Sequence, residues 1–212
     1  MLHLHSFTFN PFQENTWLIW ADNRDCLIID PGCYSNEEKL ELHAFIQQNQ
    51  LNPVRLINTH CHIDHVLGNP FVHATYGLTP EIHSNELALL NAVEQYGQVW
   101  GIHSDIQPEP LLSLDALEDI VLGDDRLQVL YTPGHAPGEV SLYCASQGFV
   151  IAGDVLFKGS IGRTDLPGGN MEVLLDSIRT QLFTLPDTTE VHCGHGPSTT
   201  IGMERLHNPF FQ

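Results

Sequence analysis

Basic side chains are what this chain lacks most. Among 212 residues there are 8 Lys and Arg against 26 Asp and Glu, a formal net charge of −18 with histidine neutral. Nucleic-acid binding rests on Lys and Arg displacing counterions from phosphates. A chain this acidic therefore excludes nucleic acid as a partner and is repelled by anionic membranes. The first basic side chain after the N-terminus is Arg24, so nothing reads as the cationic start of a secretory signal. No stretch approaches the ~18 consecutive apolar residues of a membrane span. Cysteine is sparse and odd in number: Cys26, Cys33, Cys61, Cys144 and Cys193, none of them in a C-x-x-C pair. These read as reduced thiols, which predicts a cytoplasmic location. Linkers, low-complexity tracts and internal repeats are absent. With 42 % hydrophobic residues the chain can bury a core and is not disordered. At ~100–200 residues per domain, one domain over 1–212 is expected. The oligomeric state is not legible.

What is present first is a run of short strands. Leu2 to Phe9, Thr16 to Ala21 and Cys26 to Asp30 read as strands, the last two joined by Asp22-Asn23-Arg24-Asp25. Ser35 with Glu38 three residues on is a capping box that starts a helix to about Gln48. Asn52-Pro53 stops it, and Val54 to Asn58 is an apolar strand. Ser84 opens a helix to about Gln98, and 101–113 reads as a covering loop. Strands resume near Asp119–Leu122, Leu127–Tyr131, Val140–Cys144 and Phe149–Ala152. Asn170 caps a helix with Met171, Leu174, Leu175, Ile178 and Leu182 on one stripe. Glu190–Cys193 is a last strand. Strands followed by a helix occur twice, which predicts an α/β domain of two packed sheets with helices outside.

The second abundance is histidine, 13 residues, more than all Lys and Arg together. His3, His5, His43, His73 and His207 read as surface or packing residues. The others cluster. Thr59-His60-Cys61-His62-Ile63-Asp64-His65 places four ligand-type side chains in six residues at the end of an apolar strand. In extended chain, residues i and i+2 point the same way, so His60 and His62 can grip one ion while Cys61 faces away. Asp64 and His65 follow as the chain turns into a helix expected near Val66, placed to hold a second ion. Three further positions repeat the device of a ligand just past a strand: His135 in Thr132-Pro133-Gly134-His135, Asp154 after Phe149 to Gly153, and His195 in Gly194-His195-Gly196. Together they supply a third ligand for each ion and a carboxylate able to bridge both. Cys61 and Cys193, although adjacent to ligands, read as packing residues.

The pattern T-H-x-H-x-D-H…H…D…H resembles that of the metallo-β-lactamase superfamily. The chain is most similar to its glyoxalase II (hydroxyacylglutathione hydrolase) branch, in the short bacterial form. The resemblance is carried by Asp30-Pro31-Gly32, Thr59 to His65 with Gly68, Thr132 to Gly138, Gly153 to Phe157, Gly162-Arg163-Thr164-Asp165 and Gly194 to Pro197, and then by Glu204-Arg205 and Asn208-Pro209-Phe210. It implies an αββα sandwich of two mixed sheets with the site at their upper edge. It also implies one metal on His60, His62 and His135, a second on Asp64, His65 and His195, and Asp154 bridging, with Asp64 and Asp154 as the catalytic carboxylates. Full-length glyoxalase II carries a C-terminal helical domain that helps bind glutathione. No counterpart is expected here, which puts glutathione recognition in question.

Two divalent ions sharing a water lower its pKa from 15.7 toward ~7 and stabilise the oxyanion formed at a carbonyl. A thioester suits such a site, because its thiolate leaves with a pKa near ~8.5 and needs little protonation, whereas an amine needs an acid. The expected substrate is a small anionic thioester, and Arg163 and Lys158 are candidates to hold its carboxylate. The expected ions are two Zn²⁺, with Fe or Mn equally compatible with five imidazoles and two carboxylates. Three alternatives remain open. A persulfide dioxygenase of the same superfamily would bind one iron through His60, His135 and Asp154. A lactone hydrolase would use the same dinuclear site. A metal-binding scaffold would have no activity.

Overall fold

The computed structural model describes residues 1–212. Its first half builds a five-stranded sheet in the order β1-β2-β3-β4-β5 from Leu2–Phe9, Glu14–Ala21, Asp25–Ile29, Asn52–Ile57 and Pro80–Glu81. Its second half builds a six-stranded sheet in the order β13-β12-β9-β8-β7-β6. These strands are β6 (Ile120–Leu122), β7 (Asp125–Tyr131), β8 (Val140–Cys144), β9 (Phe149–Gly153), β12 (Glu190–Cys193) and β13 (Thr199–Thr200). A small hairpin, β10 (Leu156–Phe157) with β11 (Ser160–Ile161), stands apart from both. Both large sheets are mixed: β3 pairs parallel with β4, and β9 parallel with β12, among otherwise mostly antiparallel neighbours.

Alternation along the strands explains why four layers form. Trp17, Ile19, Leu27, Ile29 and Ile57 point to one face of the first sheet and pack against Leu127, Val129, Val140, Leu142 and Ile151 of the second. The intervening residues Leu18, Cys26, Ile28 and Leu56 point the other way, as a period of two requires. There they meet Leu42 and Ile46 of helix α1 (Asn36–Gln48) and Val72 of α3 (Asn69–Tyr76). On the far side of the second sheet, Val150, Ala152 and Val191 cover Leu174, Ile178 and Leu182. The order is helix, sheet, sheet, helix, the αββα sandwich expected from the sequence. Burial of both sheet faces makes β2, β3, β8 and β9 almost wholly buried. No helix is long and apolar enough to cross a membrane.

Local signals held where a cap was legible. Ser35 Oγ accepts from the Glu38 N–H at 3.1 Å and Glu38 Oε2 from the Ser35 N–H at 2.8 Å, and Asn170 Oδ1 accepts from the Val173 N–H. Other expectations need correcting. The helix placed near Val66 begins at Ile63 as α2 (Ile63–Val66), so Asp64 and His65 lie on its first turn. The helix expected over Ser84 to Gln98 is three pieces: a 3-10 turn Ser84–Glu86, α4 (Leu87–Asn91) and α5 (Val93–Trp100). Asp115 accepts from the Ser84 N–H and His83 from the Asn85 N–H, which tightens the first turn, and Ala92 breaks the second at ψ 0°. The stripe beginning at Met171 is α6 (Met171–Ser177) continued by a π turn, Ile178–Leu182. Pro53 lies inside β4 rather than before it, tolerated because a register shift opposite Cys26 and Leu27 makes that point a bulge.

Candidate metal centre

The ligand candidates all sit on chain that has just left a strand or is entering a helix, at one edge of the sandwich. β4 ends at Ile57 and delivers His60 and His62, and α2 then turns Asp64 and His65 toward the same point. His135 comes from the turn between β7 and β8, Asp154 from the end of β9, and His195 from the turn after β12. Glycine makes the last approach possible: a Cβ on Gly194 would lie 2.2 Å from Asp154 Oδ1.

Three groups of three result, one of them Asp30 with His60 and His65, and the other two share no residue. The ligand atoms of His60, His62 and His135 lie within 4.8 Å of one another, and so do those of Asp64, His65 and His195. In the first group His62 Nδ1 comes to 2.8 Å from His135 Nε2. In the second, Asp64 Oδ2 is 3.1 Å from His195 Nε2 and 3.8 Å from His65 Nε2. Asp154 lies between them, with Oδ2 3.5 Å from both His135 Nε2 and His195 Nε2 and Oδ1 3.5 Å from His65 Nε2. All seven sequence candidates for metal ligation are therefore brought together, with Asp154 reaching both groups.

The test of whether these residues suit a cation is what their polar atoms lack. His60 Nε2, His65 Nε2 and Asp154 Oδ1 are buried without a hydrogen-bond partner, although buried polar atoms are nearly always paired. His62 Nε2 is likewise unpartnered, with its Nδ1 on His135 Nε2, and on the other four rings Nδ1 is engaged outside the cluster. His65 Nδ1 is 3.1 Å from Asp30 Oδ2, His135 Nδ1 is 2.7 Å from the Arg163 carbonyl, and His195 Nδ1 is 3.1 Å from the Gln13 carbonyl. His60 Nδ1 faces Thr59 Oγ1 and Glu139 Oε1 at 3.1 and 3.4 Å. An acceptor on Nδ1 fixes the proton there and leaves the Nε2 lone pair for a metal. Lone pairs aimed at a shared space, held by outer acceptors, fit divalent cations. The donor set of imidazoles and carboxylates is compatible with zinc, iron or manganese.

Electrostatics separates the two groups. Burial holds His60, His62 (down to about 3) and His135 below the usual histidine range, so these three are neutral and ready to ligate. Burial opposes the charged form of His65 as well, but Asp154, Asp64 and Asp30 together outweigh it and hold its pKa up. Burial likewise opposes the Asp154 anion, and His65, His135 and His195 outweigh it and hold its pKa down.

Several functional positions escaped sequence reasoning. Asp30 is buried at the tip of β3 and takes the Thr59 N–H and O–H at 2.7 and 2.6 Å besides His65. Glu139 precedes β8 and accepts from the Asp154 N–H at 2.7 Å. Glu86, fully buried, accepts from the N–H groups of Cys61 at 2.7 Å and Gly138 at 2.5 Å, fastening the two loops that carry the three-histidine group. The signal was available for Asp30 and Glu139, since each is an acid at a strand end, as Asp154 is. Glu86 gave none, because it meets its partners only through the fold. Cys61 and Cys193 are buried in apolar clusters. Arg163 lines the cleft over the ligands but is exposed and forms a bidentate pair with Asp165, both contacts 2.7 Å. Lys158 lies elsewhere, in a separate groove with His192 and Glu204.

The sequence profile of the metallo-beta-lactamase superfamily matches residues 9–195. Probable metallo-hydrolase YqgX of Bacillus subtilis (strain 168) is 39 % identical over 202 residues, 94 % of this chain and 93 % of that protein. Hydroxyacylglutathione hydrolase GloC of Haemophilus influenzae is 35 % identical over 204 residues, again 94 % and 93 %. Among solved structures, BLEG-1 B3 metallo-beta-lactamase superposes with a TM-score of 0.87 at 34 % identity, covering 99 % of this chain and 100 % of that one. TTHA1623, in a di-iron-bound form, superposes with a TM-score of 0.87 at 36 % identity, over 97 % and 99 %.

Proposed function

Because the chain belongs to the metallo-beta-lactamase superfamily, we propose that it hydrolyses a thioester of the hydroxyacylglutathione type, using two divalent ions, zinc in the first instance. His60, His62 and His135 would hold one ion, Asp64, His65 and His195 the other, and Asp154 both. The observation that carries the reading is this complete sevenfold set, with buried, unpartnered atoms of His60, His65 and Asp154 aimed into it. When bound, the ions supply a hydroxide nucleophile at neutral pH and polarise the substrate carbonyl.

The chain's own part is to orient and to withhold. Asp30, Glu139 and the carbonyls of Arg163 and Gln13 hold four of the five imidazole rings by their Nδ1 atoms, so those ligand atoms are in place before substrate arrives. No lysine lines the cleft, and its two carboxylates, Asp64 and Asp154, are ligand groups that must stay ionised to hold cations. The hydroxyls of Tyr96 and Ser160 are weak acids. With no donor beyond Asp64 or a water, the cleft favours a leaving group that can depart unprotonated, which a thiolate does far more readily than an amine. GloC is named for hydrolysis of a hydroxyacylglutathione, which supports the same choice.

Metal-stripped protein reloaded separately with zinc, manganese and iron(II) tests the reading. Each form is offered S-D-lactoylglutathione, a chromogenic β-lactam, and glutathione persulfide in an oxygen electrode. The likeness to BLEG-1 makes the β-lactam a necessary arm. Thioester loss at kcat/KM above ~10⁴ M⁻¹s⁻¹, the low end for real substrates, is expected. Faster β-lactam cleavage, or oxygen uptake without thioester loss, refutes the proposal.

A further inference from the structure

The cleft over the metal ligands has a volume of about 500 Å³, and half of its sixteen lining residues are hydrophobic. Its apolar surface starts at the ligands themselves, since Ile63 lies between His62 and Asp64 in the chain and also lines the cleft. Ile63 and Leu89 belong to a buried apolar cluster against which Phe12 and Tyr96 pack. The Trp100 ring meets Phe12 edge-on at 5.8 Å and is 55 % exposed, so this wall ends in a large apolar ring open to the cleft. Aromatic side chains have few rotatable bonds, so apolar contacts on these rings cost little ordering on binding.

The charges point the same way. Arg163 is the one Lys or Arg side chain among the lining residues, and its Nε and Nη2 are already taken by Asp165. Lys158 is outside the cleft. A substrate held by its carboxylates would find one guanidinium, already paired, on a protein of net charge −18.

We propose that this cleft selects its thioester by an apolar, preferably aromatic, acyl group packed on Phe12, Tyr96 and Trp100. The proposal rests on the hydrolytic reading above and goes beyond it by naming the group that is recognised. Both the acyl substituent and the thiol sulfur are bonded to the reacting carbonyl carbon, but glutathione is charged, so the acyl substituent is the part that suits the apolar surface beginning at Ile63. Enlarging it there removes more apolar area from water, and a pocket of this kind discriminates by about 10-fold or more per added group.

The test compares S-mandeloylglutathione with S-D-lactoylglutathione on the zinc-loaded protein. The two share thiol and α-hydroxyl and differ in phenyl against methyl. The unmodified protein is expected to favour the mandeloyl thioester at least ~10-fold in kcat/KM. In Trp100→Ala and Tyr96→Ala the preference is expected to fall to within about 2-fold, because the ring's partners are gone. Calorimetry of mandelate against lactate binding supplies a readout that needs no turnover, with mandelate expected to bind several-fold more tightly. Equal or inverted preference in the unmodified protein overturns the proposal, as does a preference that survives both substitutions. If neither thioester is cleaved, the hydrolytic reading has failed. Calorimetry then decides the subsite alone, and mandelate binding no tighter than lactate overturns it.

Discussion

Asp30→Asn separates the orientation of a ligand from its identity. Asp30 does not line the cleft, yet its Oδ2 lies 3.1 Å from His65 Nδ1 and 2.6 Å from Thr59 Oγ1 while Oδ1 takes the Thr59 N–H at 2.7 Å. Its backbone is left-handed, at φ 48°, a region that asparagine adopts as readily as aspartate, so the exchange perturbs the side chain alone. The new amide has one oxygen, and the buried Thr59 N–H retains it. The amide N–H₂ then faces His65 Nδ1 and donates to it. In the neutral form that binds a metal the imidazole has one proton, which then sits on Nε2, the atom that faces Asp64 and Asp154 at 3.8 and 3.5 Å. A metal can bind there only by displacing that proton. Loss of an outer partner of this kind weakens metal affinity by about 10–100-fold, or about 1.4–2.7 kcal/mol. The three-histidine group feels the exchange less, because His135 is oriented by the Arg163 carbonyl and only His60 is linked to Asp30, through the Thr59 hydroxyl. Calorimetric titration of metal-free protein with zinc should show one affinity reduced by that factor and the other reduced less. Two unchanged affinities would refute the tautomer argument, and two equally weakened ones would show that Asp30 acts on the fold as a whole.

Three further outcomes are expected. Asp154→Ala abolishes thioester turnover and lowers bound metal by about one equivalent or more, because the one carboxylate facing both groups is lost. Turnover near the unmodified value would show that Asp154 does not join the sites. Arg163→Ala leaves metal content unchanged, since its carbonyl rather than its guanidinium orients His135; metal loss by elemental analysis would contradict this. Glu86 gives a pH signature. Burial raises its carboxyl from 4.5 to about 7 against the pull of the Cys61 and Gly138 N–H groups. A carboxyl that binds its proton more tightly when folded stabilises the protein most below its unfolded value, and that contribution is lost as pH rises through about 7. In urea unfolding of the metal-free protein, stability relative to Glu86→Gln should fall by about 3 kcal/mol as pH rises through this window. A pH-independent difference would refute it.

What was legible in the sequence follows a physical rule. His60, His62, Asp64 and His65 announced themselves because they crowd one short segment at a strand end, where i and i+2 share a direction. His135, Asp154 and His195 were legible because each follows an apolar strand and stands in or beside a glycine turn. The sandwich was legible because the strands are apolar on both faces, which demands cover on both. The pieces that were not legible depend on long-range contacts. The segment from Ser84 starts as a 3-10 turn whose first N–H is held by Asp115, distant in sequence, and no local pattern records that bond. Glu86 looks like a solvated helix acid until the fold brings the Cys61 and Gly138 amides to it. The aromatic wall joins Phe12, Tyr96 and Trp100 from segments some eighty residues apart, and no spacing predicts that. Lys158 and Arg163 are five residues apart, yet the β10–β11 turn sends them to different grooves.

The most direct test of the central claim is the initial rate of S-D-lactoylglutathione hydrolysis as zinc is added to metal-free protein in known equivalents. The predicted curve rises until about two equivalents are bound, as a paired-metal site requires, and then levels. Hydrolysis complete at one equivalent, or none at any loading of zinc, manganese or iron(II), would contradict the assignment of a dinuclear thioester hydrolase.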